Sequence, residues 1–152
     1  MPSPELDRLV DSRLLEREPP IREEFEGLVR HASATLVDAR NESLSLESRF
    51  QLAYGTAHSI ALAALRWHGY RPRNNRQIVF QALAHTMNTP ASIWRLLARS
   101  HEQRNRLEYE GLGEVDETLV RDLIRAGGDL LAQIRAFPLP RPPGSRPARS
   151  KR

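Results

Sequence analysis

Residues 43–69 read Ser-Leu-Ser-Leu-Glu-Ser-Arg-Phe-Gln-Leu-Ala-Tyr-Gly-Thr-Ala-His-Ser-Ile-Ala-Leu-Ala-Ala-Leu-Arg-Trp-His-Gly. Ser43 or Ser45 can cap a helix here, and Glu47 falls in the first turn, where a negative charge suits the helix dipole. Gly69 is a natural C-terminal stop, because glycine takes the left-handed conformation without penalty. Between these signals the chain is rich in small residues: Ala53, Gly55, Ala57, Ala61, Ala63 and Ala64, with Leu52 beside them. Small side chains let helices cross closely, so the stretch predicts the central helix of a bundle.

Outward from this helix the signals stay helical. Toward the N-terminus, Phe25, Leu28 or Val29, Ala32, Leu36 and Ala39 mark a helix from near Ile21 to near Asn41. Pro19-Pro20 separates it from a short amphipathic segment at 4–17 carrying Leu6, Leu9, Val10 and Leu14. Toward the C-terminus, a loop from Tyr70 precedes a short helix over about 75–87, with Ile78, Val79, Leu83 and Ala84 inward. Thr89-Pro90 opens the next helix, with Thr89 as cap and proline in the first position. It runs to Gly111-Leu112-Gly113. Asp116 caps a last helix whose apolar face is Leu119, Leu123, Ile124, Leu131 and Ile134, and Gly127-Gly128 can bend it or admit a close neighbour. No strand-like alternation occurs. The expected fold is an all-α bundle of about five to six helices over residues 1–137, with the 4–17 helix packed on or beside it. Residues 138–152 hold five prolines and five positive charges with no acid, the composition of a disordered tail.

Composition narrows the function. A chain of 152 residues fits one domain. The absence of cysteine removes disulfides, thiolate nucleophiles and zinc–thiolate sites. No run approaches the roughly 20 apolar residues of a membrane span, and Met1-Pro-Ser-Pro-Glu5 lacks the basic and apolar regions of a secretory signal, so a cytoplasmic location is expected. The net charge of +4 is unevenly spread. Residues 1–47 carry six Arg against eleven acids, whereas residues 66–106 carry eight Arg against Glu102 alone. That basic island is suited to nucleic acid or an acidic partner. The histidines show no metal-ligand spacing, so no metal or cofactor is expected. His58 and His85, among alanines, read as semi-buried packing residues, and Trp67 and Trp94 as packing or interface anchors.

The chemistry concentrates in His101-Glu-Gln-Arg-Asn-Arg-Leu-Glu-Tyr-Glu-Gly111. The apolar stripe Ile93, Leu97, Ser100, Leu107, Gly111 has a gap at 104, and Arg104 fills it. An arginine on a buried stripe needs a partner, because an unpaired buried charge is costly; Glu47 is a candidate. His101, Arg104 or Asn105, and Glu108 or Tyr109 stand three to four residues apart and form one polar ridge. Arg104 offers five donors suited to phosphate. Asn105 donates and accepts, and Tyr109, one turn on, can meet it or stack on a base. Arg99, Arg106 and Glu108 flank the ridge as binding residues, and His101 is the only side chain there with base strength near neutral pH.

Arg104-Asn-Arg-Leu-Glu-Tyr109 resembles the late-helix motif of the HEPN superfamily, and the helix order over residues 22–136 is similar to that family's bundle. The family pattern is Arg, commonly followed by Asn, then His four to six residues later; here Tyr109 stands in place of that His. The resemblance implies a small, often dimeric helical protein of prokaryotic toxin–antitoxin or defence systems, with RNA as target. Active members are metal-independent endoribonucleases whose Arg and His meet across the dimer, so the missing His weakens that expectation here. Arg104, Asn105 and Tyr109 are the implied site. In some pairs a partner nucleotidyltransferase adenylates a tyrosine near the motif, which makes such an enzyme an implied partner and Tyr109 its implied target. Two alternatives are a non-catalytic module binding nucleotide, RNA or a nucleotidyltransferase, and a structural adaptor whose motif is an interface salt bridge.

Overall fold

A computed structural model describes residues 3–74, 77–111 and 114–140. The fold is a mostly helical bundle built on one long central helix, α3 (Leu46–Trp67), which packs against α2 (Arg22–Ala39) and α7 (Glu117–Arg135). Ser45, rather than Ser43, is its cap: the hydroxyl accepts from the backbone N–H of Ser48 at 3.1 Å. Ala53, Ala57, Ala61, Ala63 and Ala64 are buried on nearly every side of it. The small residues act as expected where α7 crosses. A Cβ added to Gly127 would lie 3.3 Å from Thr56 Cγ2 and 3.7 Å from Leu36 Cδ1, so this glycine admits the close approach of α7 to α2 and α3. Asp116 caps α7 through the N–H of Thr118. Phe25, Ala32, Leu36 and Ala39 of α2 and Leu119, Leu123, Leu131 and Ile134 of α7 fill the core, as their periodicity predicts.

Four details depart from the sequence reading. The N-terminal helix α1 (Pro4–Asp11) stops six residues earlier than 17, because Arg13 takes a left-handed turn (φ 63°). The chain then forms a strand, β1 (Leu15–Arg17), antiparallel to β2 (Tyr70–Pro72), with Glu16 opposite Arg71. Residues expected as helix and loop therefore form a two-stranded ribbon, each strand too short to show alternation. Of the expected 75–87 helix, residues 75 and 76 lie outside the described residues; the rest forms two single turns, α4 (Ile78–Gln81) and α5 (Leu83–Thr86), with Phe80 and the intervening Ala82 buried and Ala84 only half-buried. Finally, Pro90 itself is the N-cap of α6 (Ala91–Asn105), and Thr89 Oγ1 is buried with no hydrogen-bond partner among the described residues instead of capping.

The ribbon is fastened by Arg66, the largest fully buried side chain, at 1% exposure. Its Nε donates to Glu24 Oε1 at 2.7 Å. Its remaining nitrogens donate to the carbonyls of Glu18, Pro19 and Tyr70 at 3.0, 2.8 and 3.2 Å. Arg71 completes the network by pairing with Glu18 and, at 2.9 Å, with Glu24. Burial alone would push the Glu24 carboxyl up, but Arg66 and Arg71 hold it below its ordinary value. Glu18, in turn, raises the Arg71 pKa against the opposing effect of burial.

No helix among the described residues is long and apolar enough to cross a membrane. At the C-terminal end, Phe137 packs on Trp67 with ring centroids 4.9 Å apart, and Trp67 Nε1 donates to the Pro138 carbonyl at 2.8 Å. Trp67 is thus the packing anchor its sequence suggests, and residues 138–140 of the expected tail lie against the bundle; residues 141–152 lie outside the described residues.

Candidate functional site

The motif helix changes its winding where the chemistry is concentrated. Helix α6 ends at Asn105, and Arg106–Glu110 form a π-helical turn closed by Gly111 in the left-handed region (φ 62°). A π turn inside or at the end of a helix is rare and often marks a functional position. Leu97 and Ser100 point into the core, as the stripe requires. Arg104 continues that line and is largely buried, its side chain 13% exposed.

Its partner is not Glu47. Arg104 Nη2 lies 3.0 Å from Glu108 Oε2, one turn on, and its guanidinium sits over the ring of Tyr54 with Cζ 5.3 Å from the centroid. Tyr54 comes from α3 and is 2% exposed. Its hydroxyl is 3.0 Å from His101 Nδ1, while His101 Nε2 is 3.3 Å from the Asn105 amide nitrogen. The imidazole is therefore bracketed on both sides. The tautomer consistent with these contacts has Nε2 accepting from the Asn105 N–H and Nδ1–H donating to the Tyr54 oxygen. His58, one turn after Tyr54, stacks beside it with centroids 6.3 Å apart, and Phe80 lies edge-on to both rings at 5.6 and 5.8 Å. The result is a cationic, hydrogen-bonding cluster with an aromatic floor.

The structure gathers part of the expected ridge and disperses the rest. His101, Arg104, Asn105 and Glu108 meet around Tyr54. Asn105 turns to His101 rather than to Tyr109, which the π turn carries outward to 79% exposure. Arg99 and Arg106 are exposed and line a separate cleft of about 250 Å³ with Gln103, Asp116 and Leu119. Trp94 is 36% exposed and carries the Arg95 guanidinium 5.8 Å from its ring centroid, so it is a surface residue and not a core anchor. His85 is exposed as well, contrary to the semi-buried expectation. No group of three or more His, Asp or Glu among the described residues could hold a metal ion.

Sequence reasoning missed Tyr54. A signal was present: Tyr54 and His58 are spaced i, i+4 on a helix otherwise dominated by alanine and leucine, so a polar pair there must face something able to bond it.

No protein-family model matches the chain, and no curated protein matches it.

Proposed function

We propose that the protein is an HEPN-like component of a prokaryotic toxin–antitoxin or defence system that binds RNA by taking a backbone phosphate at the Tyr54–His101–Arg104–Asn105 cluster. The observation that carries this reading is the state of Arg104. Its guanidinium is fixed over Tyr54, yet its only carboxylate partner among the described residues is Glu108, which is 37% exposed on the π turn. A phosphate oxygen can replace that carboxylate in kind, with the second N–H of the Asn105 amide at hand as a further donor. Tyr109, exposed beside it, is free to stack on an unpaired base or to be reached by a nucleotidyltransferase partner. A homodimer and a cytoplasmic site of action go with this reading.

The test is binding of a fluorescent single-stranded RNA by anisotropy at about 50 and 200 mM salt. Arg104→Ala should abolish binding, and Glu108→Gln, which removes the competing charge, should strengthen it several-fold. Unchanged affinity in both variants would refute the site.

One observation favours a second reading, cleavage. His101 lies one turn before Arg104 with its Nδ1–H held by Tyr54, which is how a general base is oriented, and its Nε2 can take a proton once a ligand draws the Asn105 amide away. A denaturing gel of the same RNA separates the two: products formed by the wild type but not by His101→Ala would make the protein a ribonuclease, and intact RNA would leave it a binding module.

A further inference from the structure

A second surface, sharing no lining residue with the Tyr54 cluster, runs between α2 and the end of α7. It is a groove of about 550 Å³. Its α2 wall is the row Phe25, Val29, Ser33, Val37, which at 1.5 Å per residue extends about 18 Å. Ile134, Phe137 and Leu139 close the other side. The groove exposes more apolar surface than an ordinary solvated face: Val37 on the α2 wall is 65% exposed and Leu139 on the opposite side 47%.

The rim is what limits the occupant. Glu26 is already paired with Arg22 at 2.7 Å, whereas Arg30 and Arg135 have no carboxylate partner among the described residues; Arg135 donates only to the Ser33 hydroxyl, at 2.8 Å. The groove therefore presents an apolar floor with two uncompensated positive charges. A second copy of the chain docking through a two-fold axis would bring the same patch, with its two unpaired arginines, to both sides of the interface and offer them no new carboxylate. Residues 141–152 of the same chain carry five positive charges and no acid, so their charge does not complement this rim. Nucleic acid would leave the apolar floor unused.

We propose that this groove receives an amphipathic helix of a partner protein, about three turns long, with acidic residues flanking its apolar stripe. Apolar side chains spaced i, i+4, i+7 would enter between α2 and α7, and the flanking carboxylates would meet Arg30 and Arg135.

The probe is a fluorescein-labelled peptide of about 14 residues, helical by design, with Leu at that spacing and Glu on both flanks. A twin peptide carries Lys in place of Glu. Anisotropy with the full chain should show micromolar binding of the acidic peptide and none of the basic one. The double variant Arg30→Glu, Arg135→Glu should lose at least about tenfold for the acidic peptide and acquire affinity for the basic one. Val37→Asp should remove both, and circular dichroism should show each variant folded, as its exposed position permits. Equal binding of the two peptides, or no binding of either at about 1 mM, would overturn the proposal. So would sedimentation showing a wild-type dimer that Val37→Asp converts to monomer, which would assign the groove to a second copy. None of these outcomes depends on whether the protein binds RNA.

Discussion

Arg66→Met should be among the most destabilising single substitutions in this protein, and the structure indicates why. The side chain is 1% exposed and donates to Glu24 and to three backbone carbonyls, those of Glu18, Pro19 and Tyr70. Methionine fills much of the same volume but bonds none of them. The three carbonyls belong to the turn after β1 and to the start of β2, where no helix can satisfy them; leaving such groups unpaired costs about 1–3 kcal/mol each unless water reaches them. Glu24 is partly compensated, since it keeps Arg71 at 2.9 Å. Allowing water to reach the outer carbonyls, the net cost should be about 3–5 kcal/mol, the range for breaking a buried pair from one side. For a chain of 152 residues that corresponds to a fall of roughly 10 °C in melting temperature. Glu24→Gln provides the comparison. It leaves Arg66 with its three carbonyls and Glu18 Oε2 at 3.5 Å, so it should cost clearly less, about 1–2 kcal/mol. Urea unfolding followed by circular dichroism measures both. If Arg66→Met costs under about 1 kcal/mol, or less than Glu24→Gln, the guanidinium is not what fastens the ribbon to the bundle.

Other consequences are equally specific. Gly128→Ala should stabilise by about 0.5–1 kcal/mol, because the new Cβ meets only the movable end of Arg40, at 3.1 Å, and the helix gains propensity; Gly127→Val, aimed at Thr56 and Leu36, should cost about 1–3 kcal/mol in the same urea titration. The Glu24 carboxyl is held below its ordinary value of 4.5, so its contribution is fully present above that pH and is lost as pH falls through the lower folded value. Unfolding midpoints taken from pH 7 to about pH 3 should therefore drop below about pH 4.5 more steeply in the wild type than in Glu24→Gln. Tyr54→Phe should leave the fold intact at a cost of about 1 kcal/mol while shifting the His101 ring resonances in NMR, since it removes the hydroxyl at Nδ1; an unmoved His101 spectrum would place that hydroxyl elsewhere.

Much of the bundle was legible because its helices obey one-sided burial. The α2 stripe gives Phe25, Ala32, Leu36 and Ala39 with Leu28 and Val29 half-buried, and the α7 stripe gives Leu119, Leu123, Leu131 and Ile134 but includes the half-buried Ile124 and omits the buried Val120, Ala126 and Leu130; Ser45, Asp116, Gly69 and Gly111 punctuate the chain where their backbone chemistry demands it. The ribbon was not legible. Three residues per strand cannot display a period of two, and what makes them strands is a side chain from α3, far along the chain, that bonds the carbonyls beside them. The site was half legible. Spacing identified His101, Arg104 and Asn105 as a group, but a straight α-helical extrapolation through residues 106–110 put Tyr109 on their ridge. The π turn rotates it off, and Tyr54, from another helix, supplies the phenol at the cluster.

Arg66 is a more deeply buried charge than Arg104, at 1% against 13% side-chain exposure. A charge on a buried line must be paired, and Arg104 meets that demand locally: Glu108 lies one turn on, and both sit near enough to water for the pair to exchange. Arg66 meets it at long range, through Glu24 and the carbonyls of a distant turn, and is fully enclosed. The sequence conceals the difference because α3 is buried on nearly all sides. On such a helix no stripe exists to be interrupted, so an arginine in its last turn reads as an ordinary partner for the helix dipole. The two arginines therefore divide the roles that a buried charge can have. The one whose partners are mostly backbone, and which water cannot reach, stabilises the fold; the one whose carboxylate partner is a single exposed glutamate can give it up to a ligand. On that criterion the proposed phosphate contact falls on Arg104, and not on Arg66, whose partners could not be displaced without breaking the bundle.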